Sequence, residues 1–142
     1  MSSPYESADL LMKLYDLRRE ATMREARGWY FREFHPASAD DMLATLGGPH
    51  SGHFRMVTSY WDMAASFVLN GAIDEQMFND ANGEQIGVFA KVEPFLTEYR
   101  TKSGVAAYMA NLEKVVLRRP GAKEMLDNFR ARFGAAAAAA RR

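Results

Sequence analysis

The sequence of 142 residues predicts an all-α fold, a single-domain bundle of five to six helices. Three observations support this prediction. Apolar residues recur at the three- and four-residue spacing of helices along most of the chain. Helix start and stop signals separate these segments, for example the sequence Ser3-Pro4-Tyr5-Glu6 near the N-terminus. Runs of alternating β-branched residues, which would indicate strands, are missing.

The first helix begins at a capping box formed by Ser3 and Glu6, with Pro4 at the first helical position. Its apolar face is formed by Leu10, Leu14, Leu17 and Ala21. We expect this helix to reach Gly28 and to stop before Pro36, because the residue before proline avoids helical angles.

A short helix is predicted over 38–46, with Ser38 as its N-cap. The sequence Gly47-Gly48-Pro49 then breaks the chain. The next helix, near 54–70, has apolar residues around most of its circumference, which predicts a central buried helix. Its polar residues form one narrow stripe: Arg55, Ser59, Asp62, Ser66 and Asn70.

Residues 71–74 predict a helical hairpin. Gly71 is a helix stop and Asp74 is an N-cap. Ile73 and Phe78 have the spacing of a hydrophobic staple. Because the turn is short, we expect the two helices that it joins to lie side by side.

The remaining chain predicts an acidic helix over 75–100 and two further helices. Pro94 should kink or divide the acidic helix, and Gly83 and Gly87 allow close helix contact. We expect a helical domain over 1–134. Residues 135–142 are rich in alanine and predict a helical or frayed tail.

Charge and composition exclude several classes of protein. Eighteen basic and eighteen acidic residues give a net charge of zero, so we expect no nucleic-acid or membrane partner. No segment has the ~18–20 continuous apolar residues of a membrane span. The absence of cysteine fits a cytoplasmic location.

The charge is nevertheless uneven along the chain. Residues 74–98 contain six acids and one base, whereas residues 114–142 contain eight bases and two acids. This asymmetry indicates either two helical regions that attract each other or a basic end that binds a partner.

Catalytic and metal-binding motifs are missing. His50 and His53 are three residues apart, but they lie in or just after a Pro-Gly turn with no acidic residue nearby. The Glu-x-x-His pairs of di-iron bundles are also missing. We therefore expect no catalytic residue, no metal and no cofactor.

Two groups of residues are candidate sites. A pocket around Asp62, Tyr60 and Trp61, with Arg55 on the same stripe, would bind a small cationic or polar ligand; the alternative is that the stripe faces water. If Asp62 is buried, it needs a partner, which another helix should supply.

The second group is an aromatic cluster with four members within six positions: Trp29, Tyr30, Phe31 and Phe34. The four side chains cannot all point to one side of a helix. They indicate either packing in the core or a dimer interface.

The sequences Tyr60-Trp61-Asp62, Gly71-Ala72-Ile73-Asp74-Glu75 and Pro94-Phe95 resemble a bacterial family of small helical domains of unknown function. The resemblance covers about residues 55–100. It implies an α-helical fold and supplies no activity. Some relatives have a membrane anchor before the domain, which this sequence does not show.

These observations predict a non-enzymatic interaction or regulatory module that forms a homodimer or binds a protein partner. The alternative is a helical protein that binds a small molecule, or an enzyme, with its pocket around Tyr60, Trp61 and Asp62.

Overall fold

The computed structural model describes residues 2–140, except the side chains of residues 136 and 140, and this part of the chain is helical and has no strand. A short 3-10 helix lies at Glu93–Phe95. The α-helices are α1 (Pro4–Arg19), α2 (Ala21–Arg32), α3 (Ala39–Leu46), α4 (Ser51–Leu69), α5 (Glu75–Ala81), α6 (Glu84–Val92), α7 (Leu96–Ser103), α8 (Ala110–Leu117) and α9 (Ala122–Ala140).

The all-α prediction is confirmed, but the predicted number of five to six helices is wrong because two long segments are divided. The backbone at Glu20 is extended, with φ −58° and ψ 141°, and this residue ends α1. Its carboxylate accepts a hydrogen bond from the backbone N–H of Met23 at 2.9 Å and so begins α2. The acidic segment is divided at Asn82 and again at the 3-10 helix that contains Pro94.

The predicted caps are confirmed. Ser3 and Glu6 form the reciprocal hydrogen bonds of a capping box, at 3.1 and 3.0 Å. Ser38 accepts from the backbone N–H of Asp41 at 3.1 Å at the start of α3. These bonds satisfy backbone donors that a helix terminus leaves without a partner, so local sequence alone determines where these helices begin.

Helix α4 lies at the centre of the fold and packs mainly against α2 and α8. Its inward residues are almost fully buried, namely Phe54, Val57, Tyr60, Trp61, Ala64, Ala65 and Val68. Met56 and Met63 are exposed on the opposite side. The helix is therefore central, but it is not covered all round as its composition predicted.

The turn after α4 has the predicted stop and start signals but not the predicted hairpin. Gly71 has φ 79°, in the left-handed region that favours glycine, and Asp74 accepts from Met77 N at 2.9 Å as the N-cap of α5. Helix α5 packs mainly against α1 rather than alongside α4. The hydroxyl of Ser7 accepts from the backbone N–H of Asp74 at 2.9 Å, so α1 is attached to this turn.

The alanine-rich segment continues the last helix. Helix α9 passes through Gly134 without a break and reaches residue 140, while the predicted tail residues 141–142 lie outside the described part. Its first half packs closely on α6, where a Cβ at Gly87 would lie 3.0 Å from the ring of Phe129. Gly87 therefore allows the close approach of α6 and α9.

Two ion pairs connect the acidic and basic regions of the chain. Arg118 pairs with Glu75, and Arg130 pairs with Glu93. These pairs support the interpretation that the uneven charge holds helical regions together.

Candidate functional site

The residues of the predicted pocket reach three separate partners. The Tyr60 hydroxyl donates to the backbone carbonyl of Leu14 in α1 at 2.6 Å. The Trp61 indole donates to a Glu84 carboxylate oxygen at 3.2 Å, and the guanidinium of Arg18 lies 5.2 Å from the indole ring. Both aromatic side chains are buried, so they anchor helices and do not line an open pocket.

Asp62 serves as the missing cap of α8. Its carboxylate accepts from the backbone N–H of Leu112 at 3.0 Å and from the amide of Asn111 at 3.2 Å. Met109, which precedes α8, has φ 56° and supplies no side-chain cap. Arg55, the fourth predicted residue, is exposed and donates to Ser51 at 3.2 Å. Another helix thus supplies the expected partner of Asp62, and this partner is the N-terminus of α8.

The aromatic cluster lies inside a single chain. Trp29, Tyr30 and Phe34 are all less than a tenth exposed, and the rings of Trp29 and Phe34 stack with centroids 5.3 Å apart. The Tyr30 hydroxyl donates to the carbonyl of Val88 at 2.7 Å. Phe31 is half-buried. Of the two alternatives, core packing describes these side chains, because three of the four are buried within one chain.

The least usual buried group is Lys91, whose residue is only 6% exposed. Its ammonium donates to the carbonyl of Phe34 at 2.5 Å and lies 3.3 Å from Nδ1 of His35. It also lies 4.4 Å from the ring centroid of Phe133. All of these partners are neutral. Burial of the charge therefore lowers the pKa of Lys91 to about 8.

His35 has a defined hydrogen-bonding arrangement beside this lysine. Its Nε2 lies 3.0 Å from the carbonyl of Arg32. A carbonyl only accepts, so Nε2 carries the proton and Nδ1 is left to accept from Lys91. The two side chains therefore form one hydrogen-bonded unit at the C-terminal end of α2.

A cleft of about 230 Å³, here called the Lys91 cleft, opens beside this unit. Lys91 and Arg130 supply its cations, and its walls are mainly apolar: Pro36, Ala37, Ala90, Pro94, Phe95 and Phe133. A second cleft of about 400 Å³ lies on the other side of His35, between Trp29, Glu33, Asp41 and His50. A buried cation with neutral partners beside an apolar cleft is suited to binding a small organic anion.

Sequence reasoning missed the Lys91 cleft, although one signal for it was present. Lys91 comes directly after the apolar run from Ile86 to Ala90, and a lysine on the buried side of a helix is rare. Its partners come from the segment that follows α2 and from α9, which are far away in the sequence, so no spacing pattern could identify them.

A second candidate surface is the outer face of α1, defined here as Tyr5, Met12 and Tyr15, which are spaced seven and three residues apart and so share one side of the helix. All three residues are more than half exposed, and Tyr5 is 84% exposed. Leu17 was predicted on the buried side and is also more than half exposed, but it lies two residues from Tyr15 and therefore on another side of the helix. Large exposed apolar residues concentrated on one short helix indicate an interaction surface.

Within residues 2–140, no cluster of three or more side chains of the metal-binding types is arranged to hold an ion. His50 instead stacks on Trp29, with ring centroids 5.2 Å apart. None of the helices in the described part is both long enough and apolar enough to cross a membrane.

The fold and these surfaces define an all-helical domain whose buried polar groups mostly join helices. The chain belongs to the family described as Domain of unknown function (DUF4760), which it matches over residues 5–118. The match is wider than the resemblance over 55–100, and it ends before α9. No curated protein and no solved structure matches the chain.

Proposed function

We propose that this protein is a non-enzymatic helical interaction module that assembles with a second copy of itself through the outer face of α1. The observation that supports the proposal is the exposure of Tyr5, Met12 and Tyr15 on one side of a helix of 16 residues. Of the aromatic residues that the sequence suggested for this contact, Trp29, Tyr30 and Phe34 are buried and Phe31 is half-buried, so we assign the contact to α1 instead.

The charge order along α1 favours an antiparallel second copy. Glu6 and Asp9 lie in the first half of the helix, and Arg18 and Arg19 lie at its end. An antiparallel pair with its two-fold axis near Met12 brings the acidic half of each helix against the basic half of the other. The same pairing places Tyr5 opposite Arg19 of the other copy, a favourable cation–π arrangement.

The size of the surface limits the strength of this contact. A helix of 16 residues is about 24 Å long, and one helix pair covers less than the ~800 Å² per partner of a standard stable interface. We therefore expect a weak dimer whose population rises with protein concentration, which suits a regulatory contact.

Sedimentation velocity over a range of concentrations tests the proposal, with Met12→Lys as the variant. Near a two-fold axis the new lysine faces its own copy, so like charges repel and the sedimenting species should become monomeric. The matched control is Val105→Lys, because Val105 is also about half exposed but lies between α7 and α8. A wild-type chain that remains monomeric at every concentration, or a control that dissociates equally, would overturn the proposal.

A second candidate function, the binding of a small organic anion, is favoured by the Lys91 cleft. An anion there would supply the negative charge that the neutral partners of Lys91 lack. Isothermal titration with benzoate, which combines a carboxylate with an apolar ring, is a direct test. Lys91→Met should abolish the binding and Lys114→Met, at an exposed lysine, should not. Failure of the wild-type protein to bind benzoate or a related aromatic carboxylate would remove this candidate.

A further inference from the structure

The break between α1 and α2 brings four arginines together. Arg18 and Arg19 end α1, and Arg24 and Arg27 lie in the first two turns of α2. With Tyr15 they line a cleft of about 230 Å³, here called the arginine cleft. The extended backbone at Glu20 causes this arrangement, because it turns the start of α2 back towards the end of α1.

The positive charge in the arginine cleft is only partly balanced. Arg27 is fully paired, since its Nε and Nη2 donate to the two carboxylate oxygens of Glu84 at 2.9 and 2.8 Å. Arg19 lies 3.9 Å from Asp16, and both side chains are well exposed, so this pair contributes little. Among residues 2–140, neither Arg18 nor Arg24 forms an ion pair with an acidic side chain.

Arg18 is held in place without an anion. Its guanidinium lies 5.2 Å from the ring centroid of Trp61 and 5.6 Å from that of Tyr15. Its Nε is buried and has no hydrogen-bond acceptor within the described part of the chain. A buried donor without an acceptor is uncommon and costs stability, so this group indicates a missing partner.

The acids near the cleft do not supply that partner. Glu20 uses its carboxylate to cap α2, and backbone hydrogen bonds from Thr22 and Met23 lower its pKa. Glu84 already accepts from Arg27 and from the indole of Trp61. A ligand with several oxygen acceptors and a double negative charge fits the arginine donors that these acids leave without an acceptor.

We propose that the arginine cleft binds a phosphoryl group. Guanidinium groups offer paired N–H donors that match the oxygens of a phosphate, and several of them around one small cleft favour a dianion over a carboxylate. All of its lining residues belong to one chain, so the site requires neither the dimer nor the Lys91 cleft, and the proposed dimer would compete with a phosphate for Arg18 and Arg19.

Isothermal titration with inorganic phosphate and with glycerol phosphate tests this site. Arg24→Gln should weaken the binding about tenfold, because it removes one charge-assisted contact. Arg24→Lys keeps the charge but loses the paired donors, so it should restore only part of the affinity. Arg24 is exposed and forms no ion pair within residues 2–140, so its replacement should leave the melting temperature unchanged.

The matched control is Arg132→Gln, which removes the same charge from an exposed arginine on α9. Equal weakening by Arg132→Gln and Arg24→Gln would show a general charge effect and overturn the proposal. The Met12→Lys variant should bind phosphate at least as tightly as the wild-type protein, because the proposed dimer places a second copy against Arg18 and Arg19 of the cleft. Loss of the dimer therefore does not remove phosphate binding, which separates this test from the test of the dimer.

An experiment with lipid vesicles distinguishes a free phosphate from a phosphate that is part of a lipid. Co-sedimentation with phosphatidylcholine vesicles, with and without phosphatidic acid, detects a phosphate carried by a lipid. Binding of inorganic phosphate or glycerol phosphate would identify a free ligand. Binding to phosphatidic acid alone would identify a lipid headgroup, provided that Arg24→Gln abolishes this binding. No saturable binding of any of the three probes would overturn the proposal.

Discussion

Arg27 and Lys91 are two poorly exposed cations at opposite ends of the same contact between α2 and α6. Three hydrogen bonds connect the two segments in the same order along the chain: Arg27–Glu84, Tyr30–Val88 and Phe34–Lys91. The helices α2 and α6 therefore run in the same direction. The hydrogen bonds that Arg27 donates to Glu84 raise the pKa of Arg27, whereas burial among neutral groups lowers the pKa of Lys91 to about 8.

The difference shows two ways of placing a cation in a protein interior. At one end a carboxylate balances the charge, and the pair is stable at every pH at which Glu84 is ionised. At the other end the carbonyls of the α2 C-terminus balance it, aided by the negative end of the helix dipole. Only the second arrangement changes its charge near neutral pH.

The largest effect should come from breaking the balanced end with Glu84→Gln. This change leaves the Arg27 charge poorly exposed and without an anion, so the free energy of unfolding should fall by about 2–3 kcal/mol. Urea denaturation monitored by circular dichroism measures the change.

The control is Asp9→Asn, which breaks an exposed ion pair with Lys13 whose atoms are 3.0 Å apart. It should cost less than about 0.5 kcal/mol. If both variants lost the same stability, the Arg27–Glu84 pair would be an ordinary surface pair and the comparison with Lys91 would fail.

The second effect concerns the pH dependence at Lys91. In the unfolded chain this lysine has its ordinary pKa of 10.5, so between the two pKa values the unfolded state binds more protons than the folded state. Stability therefore rises with pH in this window and is lower below it. From about pH 8 to about pH 10 the wild-type protein should gain about 2 kcal/mol relative to Lys91→Met.

Two neighbouring groups determine how this measurement is made. Tyr30 stays protonated throughout the window, because burial raises its pKa. His35 contacts Lys91 in the wild-type protein and in Lys114→Met, and this contact is lost in Lys91→Met. Denaturation of the wild-type protein, Lys91→Met and Lys114→Met at several pH values isolates the Lys91 contribution. Parallel curves for the wild-type protein and Lys91→Met would contradict the lowered pKa.

The smallest effect should come from Asp62→Ala, which tests the counterpart of Lys91. Asp62 is an anion at a helix N-terminus, whereas Lys91 is a cation at a helix C-terminus. Loss of the cap should destabilise the protein by about 1 kcal/mol, while Asp62→Asn, which keeps an acceptor, should cost less. An unchanged melting temperature for Asp62→Ala would show that Leu112 N finds water equally well.

Local signals made much of the fold predictable. The caps at Ser3, Ser38 and Asp74 and the stop at Gly71 lie where the sequence indicated, because each depends on neighbouring residues only. The break at Glu20 was missed, since glutamate is a good helix former and its role as a cap is uncommon.

The candidate sites were much less predictable. Asp62 was recognised as a group that needs a partner, but the partner lies 50 positions away at the start of α8. Lys91 and the arginine cleft depend on which helices meet, and helical periodicity shows which face is apolar without showing its neighbour. The same limit explains why buried aromatics such as Trp29 resembled an interface.

The position of α1 has a consequence for any ligand of the central helix. Its carbonyl at Leu14 and its guanidinium at Arg18 occupy the space over Tyr60 and Trp61 where the sequence suggested a pocket. Helix α1 is thus a tethered competitor at that surface. A soluble ligand for Tyr60 and Trp61 would have to compete with the high effective concentration of this covalently attached helix before it could bind.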